Sequence, residues 1–387
     1  MMTAQTYEPQ SVLLVDDDVM ITEGLAAALE RSGRTLITCN DLEAAQLIIE
    51  RFHPSHVVTD VRLSGPFAYE GLALLPYIRQ HAPDTRVILM SGESSDALQL
   101  EASERGAVAF FQKPFEIDEL DATLDLMKSS ALAPVSTHPS VIRVPTLDDI
   151  LTGGELRSHF QPIVALEDRR ALAFEALARF RTESPFRNPE MLFRYAERKR
   201  RIADLEFACL DATTAAAGEL PGSPLLFLNI HPDVFTTGDL LVQRLATSAA
   251  THGLSLDRIV IEITEQASLS GSRTVLAAVE SLRALGVRFA FDDVGAAYSH
   301  LPLIAQVRPS FLKISQEFGL GFESDTTKTK IVRNIVNLAA EFGCDVVLEG
   351  IEEESTAAAA MRFGVKYGQG YLFGRPSPSS SFSNGGN

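Results

Sequence analysis

Short apolar runs alternating with amphipathic helical stretches occur in two separate series along this chain, and that doubling constrains its fold more than any other feature. In the first series SVLLV, TLITC, SHVVT, RVILM and AVAFF are each followed by a helical stretch, among them ITEGLAAALERS and DLEAAQLIIERF. Apolar runs of four or five residues between such helices are the pattern of strands buried on both faces of a parallel sheet. The second series holds LLFLN, RIVIEIT, VRFAFDD, PSFLKIS and DVVLEG, again separated by helices. It is preceded by two adjacent strand-like segments, SHFQPIVAL and ALAFEALARF, which read as a hairpin joined at EDRR. A chain of 387 residues has room for two domains of this kind.

Five βα units in about 125 residues predict a flavodoxin-like, doubly wound α/β domain over residues 1–128. The stretch SSALAPVSTHPSVIRVP, with three prolines and several Ser and Thr, predicts a linker over 129–146, within which only VIRV reads as a strand. The second series fits a TIM-like (β/α)8 barrel over 147–377 better than another open sheet. Residues 378–387, poor in apolar side chains, are expected to be disordered.

Composition narrows the partners. Lys plus Arg number 34 and Asp plus Glu 51, so 34 − 51 gives a net charge of −17. That balance argues against nucleic acid as a main partner, because affinity for its backbone comes from basic residues. The one dense basic run, ERKRR at 197–201, reads as a helix C-terminus complementing its dipole rather than a nucleic-acid or membrane patch. Three scattered cysteines form no CxxC or Cys/His pattern, which speaks against a disulfide framework or a zinc site. No apolar run approaches the length of a membrane span and MMTAQTYEPQ lacks the form of a signal peptide, so the expected compartment is the cytoplasm. No GxxxxGK[ST] loop is present, which disfavours an NTPase.

In the first series Asp16, Asp17 and Asp18 follow the first strand, Asp60 ends the third, Ser91 the fourth, and Lys113-Pro114 follows the fifth. A doubly wound sheet gathers these positions outside the carboxyl ends of its strands. Crowded carboxylates repel one another unless a cation is present, so one magnesium ion is expected there. This region resembles the response-regulator receiver family. The resemblance implies phosphorylation of Asp60 by a sensor histidine kinase, magnesium held by Asp16, Asp17 and Asp60, and a switch involving Ser91, Phe110 and Lys113. The loop VRLSGPFAYE before Gly71 is longer than usual for that family and lacks its frequent Met-Pro.

In the second series Glu175 lies in AFEALARF, Asn229 closes LLFLN, and Glu262 sits in RIVIEIT. Asp292 and Asp293 close VRFAFDD, Lys313 follows PSFL, and Glu349 closes DVVLEG. The carboxyl ends of barrel strands form the active face. Oxygen donors without His or Cys favour a hard cation, magnesium or manganese, and an Asp-Asp pair beside further carboxylates suggests two ions, an arrangement suited to phosphodiester hydrolysis. Lys313 would neutralise charge growing on the phosphoryl group.

FQPIVAL, FEALARF, LNI, IEITE, FDDVGAAYSHL, LKIS, LEGIE and YGQGYLFGRP resemble, in order and spacing, the EAL phosphodiesterase family from about Leu147 to Pro376. The resemblance implies a barrel with one antiparallel strand that hydrolyses cyclic di-GMP to linear pGpG. By position, Glu175, Asn229, Glu262 and Asp292 look like ligands of one metal, and Asp292, Asp293 and Glu349 like those of the second. Lys313, with Glu349 and Asp293 around the attacking water, looks catalytic. Gln161, Arg179 and Gln369 look like substrate contacts, and Glu265 resembles the residue anchoring the loop after the Asp pair. A homodimer is likewise implied.

Three departures bear on activity. Ser315 stands where the family has Asp after Lys-Ile, Val294 replaces a Phe, and Ala297 replaces a Gly in the loop after the Asp pair. His231, where a Ser is common, reads as a helix-start residue. The leading expectation is a response regulator hydrolysing cyclic di-GMP under control of Asp60. The alternative is a weak or inactive cyclic di-GMP receptor.

Overall fold

The computed structural model describes residues 10–64, 69–93, 95–127, 140–181, 183–263, 273–295 and 301–382. The chain divides into two compact units, Met1–Glu155 with Phe180–Arg200, and Leu156–Arg179 with Arg201–Asn387.

The first unit is built on a parallel sheet of β1 (Gln10–Val15), β2 (Arg34–Cys39), β3 (His56–Asp60), β4 (Arg86–Ser91), β5 (Ala109–Gln112) and β6 (Ser140–Arg143). Its order is β5-β4-β3-β1-β2-β6. The first five strands coincide with the apolar runs. VIRV supplies the sixth: Thr35 to Thr38 of β2 pair in register with Ser140 to Arg143. Part of the linker stretch is therefore sheet, because β2 would otherwise leave an unpaired edge. Val12, Leu14, Leu36, Val58, Ile88 and Met90 pack with Leu120 and Leu124 of the helix Ile117–Leu126. Local signals start the helices: Asp18 caps Val19–Leu29 and Asp41 caps Leu42–Phe52, each accepting from a backbone N–H.

The segment Phe180–Arg200 completes this unit with the helix Pro189–Arg198, which opens on an Asn188 cap followed by proline. Arg198 donates to both carboxylate oxygens of Glu50 at 2.8 and 2.9 Å, and Lys199 reaches Glu43 at 3.3 Å. Tyr195 stacks on Phe186 and its hydroxyl donates to Asp41. The basic run does end a helix, and its side chains also pair with acids of the helix Leu42–Phe52.

The second unit is a closed barrel of β7 (Leu156–Ala165), β8 (Ala171–Phe180), β9 (Leu225–Asn229), β10 (Ile259–Ile263), β11 (Arg288–Val294), β12 (Phe311–Ile314), β13 (Asp345–Leu348) and β14 (Tyr367–Gln369). β7 runs antiparallel to β14, whereas β8 through β14 follow one another in parallel registers. The expected hairpin joins β7 to β8, with the Ala165 N–H donating to Arg170 O at 2.9 Å.

Ile163, Ala173, Phe227, Val260, Ala290, Phe311 and Val347 form one buried cluster inside the barrel, one residue from each of β7 to β13, and Tyr367 of β14 packs against it. Side chains two apart on a strand share a face. This apolar layer therefore fixes what stands in the layer above. The residues two positions on are Glu175, Asn229, Glu262, Asp292, Lys313, Glu349 and Gln369, and on the reversed β7 the matching residue is Gln161, two positions earlier.

Residues 378–387, expected to be disordered, are partly seated. Phe382 packs edge-on against Phe174 with centroids 4.8 Å apart, and Ser379 donates to Glu219 at 2.7 Å. A single partly buried aromatic outweighs the polar composition around it. Among the described residues no helix is long and apolar enough to cross a membrane.

Candidate active site

The barrel mouth is organised around one lysine. Lys313 is 1% exposed, and its Nζ lies 2.7 Å from Glu262, 2.8 Å from Glu349, and 3.2 Å from both Glu175 and Asp292. Burial opposes its charge, yet Asp292, Glu175, Glu262 and Glu349 outweigh that and hold its pKa well above the ordinary lysine value.

Those carboxylates are not equivalent. Burial favours the proton on Glu175, but Lys313 and hydrogen bonds from Gln369 and Asn229 overcome it and lower its pKa. Asn229 Nδ2 donates to one Glu175 oxygen at 2.9 Å and Gln369 Nε2 to the other at 2.7 Å. Glu262 is fully buried, and burial together with the Glu175 charge pushes its pKa well up. Among the described residues neither Glu262 oxygen accepts a well-angled hydrogen bond. Burial also raises Glu349, to about 7. Such a set is costly with a single ammonium to balance it, and is the arrangement a divalent cation relieves.

A second cluster adjoins the first. One ligand atom each from Asp292, Asp293 and Glu349 lies within 4.8 Å of the others. The backbone makes this possible: the β11–β12 register shifts between Phe291 and Val294, and Asp293 takes a left-handed φ of 55°. A bulge at a barrel rim re-aims side chains, so neighbouring acids that a regular strand would send to opposite faces both serve the mouth. Burial and the Asp292 charge raise the Asp293 pKa, while a hydrogen bond from Ser315 lowers it in part. Ser315 also caps the short helix Gln316–Gly319 by accepting from Glu317 N.

A cavity of about 300 Å³ opens over these groups, lined by Gln161, Glu175, Leu177, Asp292, Gln316, Glu349, Gln369 and Tyr371 among others. Gln161 and Gln369 are tied to each other, Gln369 Nε2 donating to Gln161 Oε1 at 3.0 Å, and Gln161 also donates to the Gly374 carbonyl at 3.2 Å. Arg179 is half-buried and donates to its neighbour's carbonyl, Ala178 O, at 2.8 Å. Burial lowers its pKa and Glu175 partly offsets this. Sequence reasoning overlooked Tyr371, which lines the cavity with the Arg375 guanidinium 3.9 Å from its ring centroid. Both lie in YGQGYLFGRP, where an aromatic and an arginine four apart were the available signal. Glu265 and Ala297 lie outside the described residues. His231 does start a helical turn, capping Pro232–Thr237 with its side chain.

In the first unit the expected acidic group is also assembled. Lys113 Nζ bridges Asp16 at 2.6 Å and Asp60 at 2.7 Å. Asp16 is buried, and burial raises its pKa although Lys113 and the Asp18 N–H lower it. Asp17 is exposed beside it, while Asp18 serves as a helix cap rather than a pocket acid. The Asp60 carboxylate accepts from Arg62 N at 2.8 Å, and Ser91 Oγ accepts from Glu93 N at 3.0 Å. Phe110 pairs with Leu89 in the β4–β5 ladder and is partly exposed.

Comparison with known proteins gives a consistent outcome. The EAL domain profile matches residues 146–376, and that of the response regulator receiver domain matches 12–125. The chain is 25% identical to the cyclic di-GMP phosphodiesterase RocR of Pseudomonas aeruginosa, over 96% of this chain and 97% of that protein. Among solved structures it is similar to the phosphodiesterase PaMucR in complex with c-di-GMP, at 26% identity and a TM-score of 0.52, covering 59% of this chain and 99% of that one. It is also similar to the manganese and cyclic di-GMP complex of Klebsiella pneumoniae BlrP1, at 29% identity and a TM-score of 0.53, covering 61% of this chain and 58% of that one.

Proposed function

This chain belongs to the EAL domain family and carries a response regulator receiver domain ahead of its barrel; from that premise we propose that it hydrolyses cyclic di-GMP to linear pGpG under the control of phosphorylation at Asp60. The observation that carries this reading is the ring of carboxylates, on or just past four separate strands, within 3.2 Å of Lys313 Nζ.

The donor set fits magnesium or manganese: every candidate ligand atom is oxygen, and the buried Glu262 oxygens lack well-angled partners among the described residues. Glu175, Asn229, Glu262 and Asp292 would hold one ion, and Asp292, Asp293 and Glu349 a second. When bound, such a pair supplies Lewis acidity at the phosphodiester and lowers the pKa of water. The side chains do the rest. Lys313 neutralises charge that grows on the phosphoryl oxygens, and its buried position leaves little water to screen it. Glu349, 2.8 Å from Lys313 Nζ at the mouth, is placed to take a proton from the attacking water. Gln161, Arg179 and Gln369 orient the substrate.

In the receiver, Asp60 accepts the phosphoryl group from a histidine kinase or a small phosphodonor. Asp16, Asp17 and Asp60 would hold one magnesium ion, Ser91 and Lys113 would contact the product, and Phe110 would serve as the switch. The test is turnover: the purified chain is incubated with cyclic di-GMP and magnesium or manganese, with and without acetyl phosphate. The expected product is pGpG. Its absence in every condition would sink the catalytic claim.

Ser315 favours a second reading, a receptor that binds cyclic di-GMP with little turnover. Its hydroxyl offers no carboxylate beside Asp293 and is already engaged in capping a helix. Calorimetric binding of cyclic di-GMP without product would distinguish it.

A further inference from the structure

A buried acid outside the barrel mouth bonds the backbone just past one of its strands. Glu206 lies in the helix Ile202–Ala217, between Ile202 and Leu210 on the buried stripe of that helix, and is 5% exposed. Its Oε1 accepts a hydrogen bond from the backbone N–H of His231 at 2.7 Å. β9 ends at Asn229, whose ladder partner is Glu262, so the His231 N–H has run past the sheet and needs another acceptor. From there the connection is short. Asn229, two residues back, donates to Glu175 at 2.9 Å, and Glu175 contacts Lys313.

Resting on the phosphodiesterase reading, we propose that Glu206 is a positioning residue for the barrel chemistry: it clamps the turn after β9 so that the Asn229 amide stays aimed at Glu175 and the two meet a divalent ion as one preset unit. The cost of keeping a carboxyl there supports a dedicated role. Burial pushes Glu206 up to about 8, and an apolar residue on that stripe would avoid the penalty. Partners of this kind, one bond removed from the ligands, fix ligand orientation and change metal affinity when lost.

The test compares Glu206→Gln, which keeps an acceptor at the same reach, with Glu206→Leu, which removes it, and Glu206→Asp, which shortens it. Manganese binding is followed by calorimetry on the full chain, with Glu175→Gln defining the barrel's share, and kcat and KM are measured alongside. Glu206→Leu and Glu206→Asp should weaken barrel manganese binding and lower kcat by about tenfold or more, the range expected for an outer partner, with KM for cyclic di-GMP nearly unchanged. Glu206→Gln should restore both. Wild-type manganese affinity in a folded Glu206→Leu or Glu206→Asp chain, or a Gln variant as impaired as the Leu one, overturns the proposal. If the wild-type chain turns over nothing, the phosphodiesterase reading fails, yet the manganese titration still decides whether Glu206 positions the site. A wild-type barrel that binds no manganese overturns both.

Discussion

Gly319 is packed so tightly against Glu349 that a Cβ added to it would sit 1.7 Å from the Glu349 carbonyl oxygen. The same relationship recurs in the first unit, where a Cβ on Gly71 would sit 2.0 Å from the Asp60 carbonyl oxygen. In each case glycine lets a helix approach the backbone that carries a key acid. Gly319→Ala should push the end of β13 outward and move Glu349 away from Lys313. A stability loss of about 1–3 kcal/mol is expected from overpacking, together with a larger proportional loss of turnover. Thermal melts and pGpG formation check this; unchanged turnover would show that Glu349 is held by other contacts.

Removing the ammonium from the mouth should expose the repulsion it hides. Lys313→Met leaves Glu175, Glu262, Asp292 and Glu349 without their shared cation. Breaking one side of a buried pair costs about 3–5 kcal/mol, so the variant should melt well below wild type in EDTA. Added manganese should recover more of that loss than it adds to wild type, while turnover stays low. Equal manganese stabilisation of both proteins would argue that the carboxylates do not bind the ion.

The buried acid at position 206 predicts a pH dependence of stability. Its folded pKa, about 8, lies above its ordinary value of 4.5, so the folded chain binds the extra proton. The stability contribution is fully present below about pH 4.5 and is lost as pH rises through about 8, by an amount on the order of a few kcal/mol. Glu206→Gln cannot titrate, and urea unfolding of the barrel should show a flatter profile over that window. Parallel wild-type and variant profiles would contradict the assignment.

Ser315→Asp restores a carboxylate next to Asp293. Turnover with manganese should rise, because the added acid strengthens the second cluster, at some loss in thermal stability from added repulsion. A fall in turnover would mean that the Ser315 cap on the helix Gln316–Gly319 matters more than the missing charge.

Much of the site was legible because strands have a period of two. Ala173 and Glu175, Phe227 and Asn229, Val260 and Glu262, Ala290 and Asp292, Phe311 and Lys313, and Val347 and Glu349 each place an apolar residue two positions before a polar one. The offset reads as a barrel interior with one apolar layer below a polar rim. Other features left little trace. β14 is only three residues, YGQ, too short to carry a periodic signal, so the strand that closes the barrel was not separable from its loop. The positive φ of Asp293 depends on the β11 bulge, which pairing with β12 creates rather than any local composition. Glu206 was detectable only as an acid on an otherwise apolar helical stripe. The seat of Phe382 depends on Phe174, distant in sequence.

The most direct test of the central claim is the product formed from cyclic di-GMP, in saturating manganese, by the wild-type chain beside its Glu175→Gln variant. Glu175 links Lys313, Asn229 and Gln369 in one contact network. Linear pGpG from wild type, with formation by the variant reduced by about a hundredfold or more, is the predicted result. Equal product from both proteins, or none from either, would contradict it.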